Sequence, residues 1–404
     1  MVGSAGADPP NLKKYGVPSY SVAWIPPNVI KSVANQTIGE ASDNTDSSPP
    51  QPPEQFGEHC LAITGGGGEG SSGIPNAVLL AHFDVASNSL SDQLVGRLGT
   101  DSELPYRMAL HPGGDGLICA MPKSCRWFEW NQNKSAESHK LGLKVSDKVL
   151  SELEDVGQQL ALAFDNDGTM LAVGGEDGNL RVFKWPSMEI ILNETKAYST
   201  VKDLHFSSDG KLLVSLGSGG PCRVWDVSSS MVLTSISSKN GEVFSSCRFS
   251  QINDRTQVLY IAAMTDKGGS ILTWDAKTGA RIGSKHIIRD AISAFNVSTD
   301  GKLVACGTPS GDIVIVNSTN MRILSMIKRA HLGIVTALAF SHDSRVLASV
   351  SFDSSARVTV IEEKQKNEGL SLWIAVLFII LAIAAAYFLK LQDIDKLKLY
   401  FLQN

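Results

Sequence analysis

The residues that first invite a chemical reading are the thirteen from Thr64 to Asn76, TGGGGEGSSGIPN, six of them glycine. Gly65, Gly67 and Gly70 satisfy G-x-G-x-x-G, as do Gly68, Gly70 and Gly73, but a dinucleotide fingerprint needs a helix directly after its glycines. Here Pro75 leads into an apolar, strand-like run instead. The stretch lacks the Gly-Lys-Ser/Thr of a Walker A loop, and no H-R-D or D-F-G element follows to complete a kinase. What remains is a loop whose chemistry lies in its backbone. Glycine exposes carbonyl oxygens and accepts positive φ. Clustered carbonyls can hold a hard monovalent cation, and a thin loop can approach a partner's nucleotide site closely. A flexible glycine linker is the plain alternative. Against it, the flanking runs are strongly apolar, and a simple hairpin closes with about two to five residues.

Other chemical groupings are weaker. His331, Ser349 and Asp353 could pass for a hydrolase triad, but no G-x-S-x-G elbow occurs. Their order suits a structural network of buried hydrogen bonds instead. The remaining histidines, at 59, 82, 111, 139, 205, 286 and 342, form no HxxxH pair, which disfavours zinc. Six cysteines, at 60, 119, 125, 222, 247 and 306, form no CxxC and read as small core residues in a reducing compartment.

The elements that must carry the loop emerge from self-similarity. Gln159 to Trp185, Val201 to Asp226, Ile292 to Asn317 and Val335 to Ile361 each give an apolar strand, a tight Asp-Gly or Asp-Ser turn and two further strands. Tyr106 to Trp130 and Val243 to Asp275 are degenerate copies. The apolar residues ending the first strands (Leu110, Phe164, Phe206, Phe249, Val297 and Phe340) are 54, 42, 43, 48 and 43 apart. A period of about 40 to 45 residues with Trp-Asp endings is the WD40 signature. A blade cannot bury both faces alone, so the copies should close into a ring. Tyr20 to Pro26, His59 to Thr64 and Asn76 to Val85 supply a seventh copy, interrupted by a Pro/Ser/Asp-rich insertion expected to be disordered over 32–55.

Composition agrees with this and adds an anchor. The 404 residues carry 36 basic and 41 acidic side chains, a net charge of -5, so no basic field exists to hold a nucleic acid by counterion release. Leu370 to Leu389 has no charge over twenty residues, about 30 Å of helix, with Trp373 and Tyr387 near its ends. The expected architecture is therefore all-β: an N-terminal segment 1–18, a seven-bladed WD40 propeller over 19–361, a polar tether 362–369, one transmembrane helix 370–389 and a short lumenal tail 390–404. The start of the chain has no apolar signal-peptide core, which assigns the large domain to the cytosol.

At this point the sequence resembles the Sec-twelve family, membrane-anchored exchange factors for the small Sar GTPase that starts COPII coat assembly at the endoplasmic reticulum. The resemblance spans the whole architecture and rests on Gly65, Gly66, Gly67, Gly68, Gly70, Gly73, Ile74 and Asn76, which match the family's K loop. It implies a potassium ion on the backbone of Gly65 to Gly68. It also implies a Sar-type GTPase as partner, with Ile74 and Asn76 among the contacts, an endoplasmic reticulum location, and nucleotide exchange in place of bond-making catalysis. NLKKYGVPSYSVAWIP and LPYRMALHPGGDGLICAMPKSCRWFEW are similar to the plant branch. That branch also contains a paralogue without exchange activity, the phosphate transporter traffic facilitator, so COPII components and phosphate transporters stand as alternative partners. Exchange factor and facilitator are not separated by the sequence.

Five Asn-x-Ser/Thr sequons, at Asn35, Asn133, Asn193, Asn296 and Asn317, make the topology testable. With the large domain in the cytosol, glycosidase treatment of the expressed chain should leave its gel mobility unchanged. A shift would place that domain in a secretory lumen.

Overall fold

The computed structural model describes residues 8–30, 59–70, 72–133, 140–239, 241–251, 257–361 and 377–390. It divides into two units, Met1–Ile361 and Glu362–Asn404. In the first, the described residues form seven antiparallel sheets, each built mostly from consecutive strands. Blade 1 holds Ser19–Trp24, His59–Gly65 and Ala77–Asp84, with Ser89–Leu90 and Gly96–Gly99 both pairing the last of these. Blades 2 to 6 open with Arg107–Leu110, Gln159–Phe164, Thr200–Phe206, Val243–Phe249 and Ala294–Val297, and each has four strands. Blade 7 takes Val335–Phe340, Val346–Ser351 and Ser355–Val360, and its fourth strand is Leu12–Lys14. The family of folds is the one expected, a seven-bladed propeller.

The strand Leu12–Lys14 corrects the expected boundary, which left 1–18 outside the ring. Leu12 pairs with Arg357 and Lys14 with Ser355. Asn11 seals the end of the pairing: its carbonyl accepts from the Val358 N–H at 3.0 Å and its amide donates to the Val358 carbonyl at 2.8 Å. The first and last parts of the propeller sequence thus share one sheet. Three residues with a Lys-Lys ending carry no apolar alternation, so nothing in them marks a strand.

Apolar burial follows the ring. Seven clusters each draw from two neighbouring blades, such as Trp24, Leu61 and Phe83 of blade 1 with Ala348, Val350 and Val358 of blade 7. Each blade therefore buries both faces only because it has a neighbour on either side. The first strands touch one another around the centre, and polar side chains stitch them together. Thr336 of blade 7 donates to the Ser19 carbonyl of blade 1 at 2.7 Å. Arg107 of blade 2 donates to Tyr20 of blade 1 at 3.0 Å and to Leu160 of blade 3 at 3.3 Å. Asp203 of blade 4 accepts from the Cys247 N–H at 2.9 Å and from Arg248 at 2.6 Å, both in blade 5. All six cysteines are free and buried.

The would-be triad is such a structural network. His331 Nε2 lies 2.8 Å from Ser349 Oγ, its Nδ1 bonds Ser355 Oγ, and Ser355 in turn bonds Asp353. The imidazole is 2% exposed and reaches no open surface. In the second unit, residues 377–390 are helical and exposed throughout. Among the described residues no helix is long and apolar enough to cross a membrane; the first part of the expected span, the tether, the insertion 32–55 and the tail beyond residue 390 lie outside the described residues.

Two buried imidazoles set an acid limit. Burial holds His331 down to about 4, and burial with the nearby Arg248 cation holds His205 down to about 3, from an ordinary value near 6.5. Above that value both folded and unfolded chains carry neutral imidazole, so stability does not change. Below it only the unfolded chain takes the proton, and stability falls by up to about 1.4 kcal/mol per pH unit for each imidazole until the folded value is reached. The urea midpoint should drop between pH 6.5 and 4.5, and His331→Gln, weaker at pH 7.5, should show a shallower drop. Equal slopes would mean that His331 is not held neutral.

Candidate functional site

The glycine loop joins the second and third strands of blade 1, leaving the ladder after Gly65, opposite Ala77, and rejoining it there. Two buttresses hold its foot. On one side the chain coming from the closing strand passes Pro18, whose carbonyl accepts the Gly66 N–H at 3.0 Å. On the other side stands the turn that leads to blade 2. Its Thr100 N–H donates to the Asn76 carbonyl at 3.0 Å, and Asn76 Nδ2 donates to the Asp101 carbonyl at 3.0 Å. Asp101 holds φ of 52°, in the left-handed region, and Thr100 Oγ1 braces the turn by donating to the Glu103 carbonyl at 2.7 Å.

Asn76 is the clasp between the two arms of the loop. Its Oδ1 accepts from the Gly68 N–H at 2.9 Å and its Nδ2 donates to the Gly68 carbonyl at 3.2 Å. One side-chain amide thereby satisfies both backbone groups of one glycine, as a neighbouring strand would. The fit explains the glycines around it. A Cβ on Gly66 would sit 2.1 Å from Asn76 Oδ1, and Gly68 itself holds φ of +80°, a region that side chains disfavour. Gly70 has neither constraint, since a Cβ there would meet nothing within 4 Å.

The structure thus brings the expected residues into one loop but divides their work. Gly65, Gly66 and Asn76 are buried; Gly67, Gly68 and Ile74 are half-buried; Glu69, Gly70, Ser72 and Gly73 are exposed. Ile74 packs against the apolar cluster shared by blades 1 and 7, which includes Val17 and Val350. Asn76, expected as a partner contact, is buried and hydrogen-bonded inside the chain, whereas Ile74, expected as another, is half-buried and keeps part of its surface open. Sequence reasoning passed over Pro18, Thr100 and Asp101. The Thr-Asp pair in GTDSELP is an ordinary turn signal, and nothing in it points to Asn76.

The surroundings are aromatic. Phe352, in the equivalent turn of blade 7, meets Tyr20 edge-on at 5.2 Å, and Tyr20 meets Tyr106 of blade 2 at 5.3 Å. Arg107 lies over Tyr106 at 5.0 Å. Tyr20 follows Ser19, which pairs with Gly65, so this ladder runs beside the foot of the loop. No group of His, Cys, Asp and Glu able to hold a metal occurs among the described residues.

Fold and loop together define a WD40 propeller that presents one backbone-rich loop at the junction of its first and last blades. The family described as WD domain, G-beta repeat matches residues 154–184 and 322–359. SEC12-like protein 2 of Arabidopsis thaliana is 51% identical over 90% of this chain and 91% of its own length, and SEC12-like protein 1 of the same plant is 31% identical over 79% and 80%. The mouse guanine nucleotide-exchange factor SEC12 is 25% identical over 69% of this chain and 78% of its own. The chain belongs to the SEC12 family, in its plant SEC12-like branch. The crystal structure of Chaetomium thermophilum Raptor matches 88% of this chain and 28% of its own with a TM-score of 0.61 at 12% identity, which speaks for the propeller fold alone.

If Asn76 and Asp101 fix the loop, substituting either should loosen it without unfolding the blades. Asn76→Ala leaves three backbone groups short of a partner, a cost of about 1 to 3 kcal/mol. Asp101→Val forces a β-branched residue into positive φ, whereas Asp101→Gly does not. Limited proteolysis should cut within 66–75 about tenfold faster in Asn76→Ala and Asp101→Val, and near the parent rate in Asp101→Gly. Identical rates in all four chains would show that the loop does not depend on this clasp.

Proposed function

We propose that this chain is a guanine-nucleotide exchange factor for a Sar-type small GTPase, acting through the loop of residues 65–76 at the endoplasmic reticulum membrane to start COPII vesicle formation. The observation that carries the reading is the loop: its foot is fixed from both sides by Pro18, Thr100 and Asp101 while Glu69, Gly70, Ser72 and Gly73 are exposed, with Glu69 the one long side chain among them. A GTPase that holds GDP with nanomolar or tighter affinity gives up about 12 kcal/mol or more on release. The exchange factor must offset this by binding the nucleotide-free state preferentially, a shift of population with no bond made or broken. A loop already ordered meets that partner without a large ordering cost. In this reading Glu69, Gly70, Ser72 and Gly73 touch the GTPase, and Asn76 and Ile74 act by holding them in place.

Potassium fits the donor set. The stretch from Gly65 to Gly68 offers backbone oxygens with no side chains between them, and Thr64 Oγ1 at its foot is fully buried with no hydrogen-bond partner. The Gly68 carbonyl accepts one hydrogen bond from Asn76 and keeps a second lone pair, so the carbonyls of Gly65, Gly66, Gly67 and Gly68 are the proposed ligands. When bound, the ion would stiffen the loop by gathering these oxygens.

Membrane anchorage by 370–389 belongs to the same proposal. Leu377, Phe378, Ile380, Ile383 and Phe388 are all more than half exposed, and a helix apolar on every side suits lipid better than water. A second reading has its own support: the relatives above 30% identity are called SEC12-like, and those called exchange factors stand near 25%. On that reading the chain aids the exit of phosphate transporters without exchanging nucleotide.

Loading a Sar GTPase with fluorescent GDP and adding the full chain separates the two. Exchange should accelerate, Asn76→Ala should reduce the acceleration about tenfold or more, and replacing potassium by lithium should reduce it in the parent. No acceleration by the parent chain would leave the facilitator reading.

A further inference from the structure

Turns on both faces of the ring close on themselves through side chains, as Asp177 with Asn179 and Asp353 with Ser355 do on the loop's face, and one stretch of that face adds exposed apolar side chains. On the face away from the loop, the turns close on themselves through side chains: Ser207 with Asp209, Ser298 with Asp300, Ser341 with Asp343 and Ser228 with Asp226. On the loop's face, next to the loop in blade 7, Leu332 is 78% exposed, Phe352 49% and Ile334 45%.

These residues are drawn together by their backbones. The Phe352 N–H donates to the Ile334 carbonyl at 3.1 Å, and the Leu332 N–H donates to Asp353 beside Phe352 at 2.6 Å. Phe352 touches Tyr20, and Tyr20 adjoins the loop's foot through Ser19. The same connecting segment carries Lys328 and Arg329, both exposed. Neither makes an ion pair among the described residues, whereas ten other such pairs occur there. These two cations border the apolar patch without a salt-bridge partner among the described residues, beside the carboxylates of Asp312 and Asp353, which accept from the Arg329 and Leu332 N–H groups at 2.7 and 2.6 Å.

We infer that Leu332, Ile334, Phe352 and Tyr20, edged by Lys328 and Arg329, are the apolar half of the surface that docks the small GTPase, which must present an apolar patch with an acidic border. This rests on the exchange-factor reading and adds a second point of contact to it. The loop supplies backbone and little area, and a stable complex needs a desolvated apolar or aromatic centre as well. The patch supplies that centre on the same face, and the cations steer the approach and fix its register.

The test uses the full chain and a Sar GTPase stripped of nucleotide with EDTA, and compares the parent with Phe352→Ala, Leu332→Ser and the pair Lys328→Glu with Arg329→Glu. Phe352→Ala and Leu332→Ser should weaken binding about tenfold or more without changing protease protection of the loop. The charge pair should slow association and flatten its dependence on salt. Parent affinity and salt dependence in every variant, with exchange intact, would overturn the docking surface and leave the exchange reading standing. Absence of binding by the parent would overturn both. Binding to anionic vesicles, or self-association in sedimentation, that disappears with Phe352→Ala while GTPase binding persists would assign the patch to another occupant and overturn the inference.

Discussion

The pairing of Leu12–Lys14 with Ser355–Val360 is the interaction on which the rest of this propeller depends. Three ladder residues are weak in themselves, since a hydrogen bond contributes about 1 kcal/mol net. Their importance is topological. Opening the ring there would expose the cluster that Val17, Trp24, Leu61 and Phe83 share with Val350 and Val358, and blades 1 and 7 would each lose the neighbour that covers one face. The closing strand also leads straight into Val17 and Pro18, which brace Ile74 and Gly66 of the loop. Closure of the ring and the shape of the loop are therefore parts of one structure.

That coupling explains why the loop belongs to blade 1. Most blades sit between neighbours reached by ordinary chain connections, whereas blade 1 is flanked by the segment that closes the ring and by the turn at Thr100 and Asp101. Both are irregular, so both have backbone carbonyls to spare for a neighbouring loop. A glycine-rich connection elsewhere on the ring would find regular strands whose groups are already paired. The outward face of the same blade junction gathers aromatic rings, Phe352, Tyr20 and Tyr106, from three successive blades.

Much of this was legible in the sequence because it repeats. The phenylalanines at 164, 206, 249 and 340 recur at nearly constant spacing, and the Asp-Gly turns between apolar strands mark where chains reverse. The fourth strands were not legible. Met231–Ile236 and Ile323–Ile327 lie at the outer rim, mostly exposed, and show no alternation of apolar and polar residues. The closing strand was hidden for a related reason, because its identity comes from a partner more than 340 residues away. The loop was legible by composition alone, as six glycines in thirteen residues. Its internal division was not. Whether Asn76 points outward or inward is decided by the position of Gly68 and Asp101, and a one-dimensional motif records neither.

The inward turn of Asn76 changes what the glycines mean. Read as a string, they suggest a flexible tether whose ordering would oppose any binding event at about 1 to 2 kcal/mol per residue. Held by Asn76, Pro18 and Asp101, the arms of the loop are already ordered. Glycine at Gly66 then follows from close packing against the Asn76 amide, and glycine at Gly68 from its backbone angle. At Gly70 neither reason applies, since a side chain there would meet open space. A position where the fold tolerates a side chain and the chain has none is one where bulk would be felt only by something outside the fold. Gly70 is thus the glycine of the loop least accounted for by the propeller itself.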